Sequence, residues 1–68
     1  MIDISVNNAI HTFNDNTNIK EALGILGYVD QEMLGIAVNK TFIAKDLWSK
    51  ISLRHKDHID ILNPISGG

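Results

Sequence analysis

A 68-residue chain with no cysteine has no disulfide to hold it, so whatever it folds into must stand on its apolar core. A domain of this size buries only about 60% of the surface its unfolded chain exposes. That leaves room for one domain and little space for a deep, water-excluded cleft, which weighs against a self-sufficient enzyme. The missing cysteine also removes any thiolate metal site and any cysteine nucleophile. The formal charge is −2 and the charges are scattered, so there is no basic stripe for nucleic acid. The N-terminus lacks a basic region followed by a long apolar run. No apolar stretch approaches the ~20 residues that span a bilayer. The expectation is a soluble cytoplasmic protein with no membrane and no nucleic-acid partner.

The apolar residues are patterned for a mixed fold. Ile2, Ile4 and Val6 alternate with Asp3 and Ser5, the pattern of a half-buried strand. Asn7-Asn8 suits the left-handed turn of a tight hairpin, and Ala9 to Phe13 reads as the return strand. After the polar cluster 14–18, Ile19, Ala22, Leu23 and Leu26 form a helical stripe at i, i+3, i+4 and i+7. Asn18 is the expected N-cap, with Glu21 placed for a capping box and Gly27 placed to end the helix. Gly24 costs roughly 1 kcal/mol in a helix interior. Close packing of the helix on a sheet is one reason to find a glycine there.

A polar connection at Asp30-Gln31-Glu32 precedes a second apolar run over 34–39, with Leu34, Ile36 and Val38 on one face. A short strand is expected over 41–43 and a single helical turn over 44–49. Arg54-His55-Lys56-Asp57 is a charged turn before a last strand carrying Ile59 and Ile61, and Pro64 stops that strand or marks its edge. A hairpin, a crossing helix and further strands predict an α+β fold of the β-grasp, ubiquitin-like kind: a mixed sheet with one main helix on one face. The expected division is a β-grasp domain over 1–63 and a flexible tail over 64–68.

Most polar candidates have plain readings. His55 and His58 read as solvated surface histidines without a third metal ligand. His11 has no Ser or Asp partner that the pattern places beside it, and Asp57 and Asp60 read as a solvated face. Trp48 is expected partly buried at the edge of the core. The end of the chain is different. An apolar strand runs through Pro64, Ile65 and Ser66 into Gly67-Gly68. Residues 64–68 extend up to about 17 Å. Two glycines pass a channel that any side chain would block, and they leave the carboxyl carbon open to attack. In the last strand Leu62 should point away from Ile59 and Ile61, which makes it the expected partner contact beside the tail.

Several of these segments together resemble the ubiquitin-like sulfur carriers, most closely those of thiamine biosynthesis (ThiS type). They are Asn18-Ile19-Lys20-Glu21-Ala22-Leu23, Gly35-Ile36-Ala37-Val38-Asn39, the Trp48 region, Asp57-His58-Ile59-Asp60-Ile61 and Ile65-Ser66-Gly67-Gly68. The resemblance spans essentially the whole chain. It departs where the family's turn before the last strand usually reads Gly-Asp and this chain has Lys56-Asp57. It departs again at Asn63-Pro64, where the approach to the tail is often more apolar or charged.

The resemblance implies a protein co-substrate rather than an enzyme. An adenylating partner related to ubiquitin-activating enzymes would use ATP and Mg²⁺ to activate the Gly68 carboxylate. A cysteine-derived persulfide donor would convert it to a thiocarboxylate. A thiazole synthase would take the sulfur for the thiazole moiety of thiamine. Gly68 and Gly67 would carry the chemistry; Leu62, Pro64, Ile65 and Ser66 would meet the partners. The carrier itself would bind neither cofactor nor metal. The alternatives are the small subunit of molybdopterin synthase, a ubiquitin-like modifier conjugated to lysines, and an interaction module whose Gly-Gly does nothing.

Overall fold

The computed structural model describes residues 1–28 and 35–62. Five strands form one sheet: β1 (Ile2–Val6), β2 (Ala9–Phe13), β3 (Gly35–Val38), β4 (Thr41–Phe42) and β5 (His58–Leu62). Among the described residues, one helix, α1 (Ile19–Ile25), and a short 3-10 turn (Lys45–Leu47) complete the elements. The spatial order is β2-β1-β5-β3-β4, with β1 and β5 parallel and all other neighbours antiparallel. This is the expected mixed β-grasp sheet, with the last strand at its centre.

Both hairpins turn on two left-handed residues. Asn7 and Asn8 have φ of 49° and 71°, and Asn39 and Lys40 have 51° and 67°. That combination matches the right-handed twist of the flanking strands. The core lies on one face of the sheet, where Ile4, Ile36 and Ile59 meet Ile19 and Leu23 of α1.

Helix α1 leaves none of its first four N–H groups unpaired. Glu21 N–H donates to Asn18 Oδ1 at 2.8 Å and Ala22 N–H to Asn18 O at 3.0 Å. Ile19 and Lys20 N–H reach Ile51 O and Trp48 O, both at 3.2 Å. Glu21 returns the capping-box bond to Asn18 N–H at 3.0 Å. The segment around the 3-10 turn is thereby tied to the start of the helix. At the other end Gly27, with φ +95°, allows Tyr28 N–H to reach Leu23 O at 2.9 Å and its own N–H to reach Gly24 O at 3.1 Å. These two bonds form a Schellman motif.

Several sequence expectations change. Gly24 does not pack on the sheet: it is exposed, and an added Cβ would meet nothing within 4 Å. Trp48 is not at the core's edge but 2% exposed, inside it, and its indole N–H donates to Ile43 O at 3.1 Å. The fourth strand spans Thr41–Phe42, one residue shorter than expected, although Ile43 N–H still donates to Ile36 O at 2.9 Å, the next bond of the same ladder. Leu34 and the polar stretch Asp30-Gln31-Glu32 lie outside the described residues.

Candidate functional site

Alternation along β5 divides its side chains between two faces. Ile59 and Ile61 are buried in the core; His58, Asp60 and Leu62 face the other way, onto the side of the sheet opposite α1. Leu62 is 67% exposed, in the outward orientation that its sequence position predicts. Register adds its neighbours. Leu62 is opposite Gly35, Asp60 opposite Ala37, and Ala37 opposite Phe42. The Leu62 side chain lies over Gly35, whose missing Cβ would stand 3.6 Å from Leu62 Cβ. Phe42 is 72% exposed.

One end of the open face is therefore an apolar trough. Leu62 and Phe42 are its walls, set diagonally across a floor of the small residues Gly35 and Ala37, and Asp60 borders it beside Ala37. Sequence reasoning passed over Phe42, although a signal was there: an inward Ile43 puts the residue before it outward.

The polar residues near this face have fixed tasks. His58 Nε2 and Asp60 Oδ1 are 3.1 Å apart, so these two residues pair with one another. His55 Nδ1 accepts the Asp3 N–H at 3.0 Å, and Asp3 Oδ1 accepts the Thr12 hydroxyl at 2.9 Å. Asp57 closes the turn before β5: its carboxylate accepts Arg54 N–H at 2.8 Å and the Asn39 amide at 3.0 Å. His55, His58, Asp57 and Asp60 do lie at the surface, exposed or half-exposed, and each also makes a structural polar contact; His55 with Asp3 and Asp57 with Asn39 join residues far apart in the sequence. His11 stacks at a tilt beside Phe13, with centroids 6.4 Å apart.

Lys56 takes φ 73° in the turn where a glycine is usual, so the left-handed turn is kept at the cost of some backbone strain. A depression of about 320 Å³ lined by Asp3, Ser5, Ile10, His55 and Lys56 lies at the opposite end of the sheet from Leu62. Its Asp3 and His55 are committed to the bonds just given. Among the described residues no group of three or more His, Cys, Asp or Glu is placed to hold a metal ion. Nor, among them, is any helix long and apolar enough to cross a membrane.

Of the residues singled out in the sequence, Leu62 is placed by the structure. Pro64, Ile65, Ser66, Gly67 and Gly68 lie outside the described residues. What is in view is their point of departure, the end of the central strand beside the apolar trough.

A five-stranded mixed sheet crossed by one helix, with its C-terminal strand at the centre, defines a β-grasp protein of the ubiquitin-like class. Among solved structures, the chain is similar to the thiamine biosynthesis protein (ThiS) from Geobacter metallireducens. The TM-score is 0.83 at 19% identity, over 98% of this chain and 100% of that one. No curated protein sequence matches the chain. The ThiS family pattern matches residues 4–68, and the chain belongs to that family, the ubiquitin-like sulfur carriers of the thiamine-biosynthesis type. Its members are small protein carriers rather than catalysts, and membership implies partners that adenylate and that transfer sulfur.

Proposed function

We propose that the Gly68 carboxylate of this chain is the sulfur-carrying group and that its thiocarboxylate form supplies sulfur to the thiazole moiety of thiamine. The observation behind this reading is that the family match runs through Ser66-Gly67-Gly68 to residue 68. The chemistry follows from the group. An α-carboxyl titrates at about 3.3–3.7, so at neutral pH it is an anion and a poor electrophile. Attack of the carboxylate on the α-phosphorus of ATP, with Mg²⁺ on the phosphates, gives the acyl-adenylate and releases pyrophosphate. A persulfide from a cysteine-derived donor then attacks the acyl carbon and AMP leaves. Cleavage of the resulting S–S bond by a thiol leaves the thiocarboxylate on Gly68 and a disulfide on the donor side.

ATP and Mg²⁺ belong to the adenylating partner in this scheme, which is related to ubiquitin-activating enzymes. The carrier binds no cofactor or metal of its own. Thiazole synthase is the acceptor, in the cytoplasm. Gly67, with Ser66, Ile65 and Pro64, feeds the terminus into each partner's site. The trough between Leu62 and Phe42 is the docking surface for the adenylating partner. Exposed apolar walls beside the strand that leads to the reacting end are what such a contact needs.

Intact-protein mass tests the scheme. After incubation with the adenylating enzyme, Mg-ATP and a persulfide donor, one oxygen should be replaced by sulfur, and deletion of Gly68 should abolish the change. An unaltered mass together with no trapped adenylate would refute it. A covalent link from Gly68 to lysines of other proteins would indicate a modifier instead.

A further inference from the structure

The ladder between β1 and β5 ends in an unusual way. Ser5 N–H donates to Asp57 O and Asn7 N–H to Ile59 O, both at 3.0 Å. In a continuing parallel ladder the next bond would run from Ile61 N–H to the Asn7 carbonyl. Asn7 has already entered the left-handed turn, at φ 49°, and its backbone has left the strand direction. Its side chain takes over. Ile61 N–H donates to Asn7 Oδ1 at 2.8 Å, and Asn7 Nδ2 donates to Ile61 O at 3.4 Å. The amide of one side chain thus pairs with both backbone groups of Ile61, as a further strand residue would. On its other side β5 remains paired with β3 as far as Leu62–Gly35.

We propose that Asn7 is a positioning residue for the carrier reaction: it locks the last turn of β5 into the sheet and so aims the chain that leaves it. This rests on the carrier reading above. A carboxylate presented to a partner's active site reacts at a rate set by how narrowly it is held near the attacking geometry. Five residues separate Leu62 from Gly68, so fraying at Ile61 would add to the length of chain between the sheet and the reacting carboxylate. The trough of Leu62 and Phe42 decides how tightly the carrier docks. Asn7 decides how well the docked carrier presents its end, and the two effects separate in kinetics.

The test uses the full-length chain with Asn7→Gly. Glycine accepts the left-handed φ, so the turn survives while the side-chain bonds are lost. Asn8→Gly, at φ 71° in the same turn, is the control, because the Asn8 side chain makes no hydrogen bond to β5. Adenylation is followed by ATP–pyrophosphate exchange with the cognate adenylating enzyme while carrier concentration is varied. Hydrogen exchange is read at the Ile61 amide.

With Asn7→Gly, kcat should fall about three- to tenfold, the scale of one lost hydrogen bond. KM for the carrier should stay within about twofold and the Ile61 amide should exchange faster. Asn7→Asp, which keeps the acceptor for Ile61 N–H but not the donor, should fall between. Asn8→Gly should match wild type. Unchanged kcat with Asn7→Gly, or a fall only in step with lost thermal stability, overturns the proposal. So does an Ile61 amide that exchanges as before. If the wild-type chain is itself not adenylated, the carrier reading fails and takes this role with it.

Discussion

Shortening Leu62 separates docking from folding. Leu62→Ala removes three carbon atoms, worth about 2.4 kcal/mol if they pass fully from water into a contact, at ~0.8 kcal/mol per carbon. Leu62 is 67% exposed in the free protein, so roughly two-thirds of that, about 1.6 kcal/mol, is available to a partner. At 1.4 kcal/mol per tenfold, the carrier's KM in adenylation should rise about fifteenfold, with kcat near wild type. The fold should barely notice: the atom nearest Gly35 is Leu62 Cβ, which alanine keeps, and the loss of stability should stay under about 0.5 kcal/mol.

The assay is ATP–pyrophosphate exchange across a range of carrier concentrations, with a thermal melt of each variant. Phe42→Ala should raise KM at least as much, since Phe42 is 72% exposed on the facing wall. Two controls bracket the result. Ile25, on the helix side, and Ile10, on β2, are each 68% exposed but lie away from the trough, and their alanine variants should be neutral. An unchanged KM in both Leu62→Ala and Phe42→Ala refutes the trough as a docking site. An equal rise with Ile25→Ala would reduce it to general surface hydrophobicity.

Three further variants test the fold. Asn18→Ala removes the cap bond to Glu21 N–H and also the side-chain bond to Ser49 O, so chemical denaturation should show a loss of about 1–2 kcal/mol. Gly24→Ala should add about 1 kcal/mol and raise the midpoint by about 4–8 °C, because nothing obstructs a Cβ there; a loss would mean that the helix packs more closely than described. Lys56→Gly should add roughly 0.5–1 kcal/mol by relieving a lysine at φ 73°, and no gain would show that the turn holds lysine without strain.

The features legible in the sequence are those set by near neighbours. Alternation in Ile2–Val6 and His58–Leu62 names the core residues and turns Leu62 outward. The i, i+3, i+4 stripe with Asn18, Glu21 and Gly27 marks α1 from cap to cap. Asn7-Asn8 locates the first hairpin. What could not be read depends on residues brought together across the fold. Trp48 is buried because the segment carrying it is bonded to the start of α1, through Ile51 O and Trp48 O. His55 lies 52 positions from the Asp3 N–H it accepts. Asn7 looks like a turn residue and nothing more until β5 is seen beside it. The role proposed for Gly68 rests on residue type and resemblance, which spacing alone cannot supply.

The position of β5 explains how so small a fold could support the terminus that the proposed function hands to other proteins. Chain ends tend to fray, and an edge strand would let the fraying run inward. Here the last strand is inserted between β1 and β3, and side chains reinforce both ends of its β1 side. At the start His55 Nδ1 accepts the Asp3 N–H while Lys56 N–H donates to Asp3 O at 2.8 Å. At the finish Asn7 holds Ile61. Asn39 adds a third grip from the β3 side, accepting His58 N–H at 3.0 Å through its side chain and donating its own N–H to His58 O at 2.7 Å. Opening β5 from its C-terminal end therefore breaks pairing on both flanks and exposes Ile61 and then Ile59, so the cost of opening approaches that of unfolding the domain. β5 is consequently expected to be among the last of the described strands to loosen.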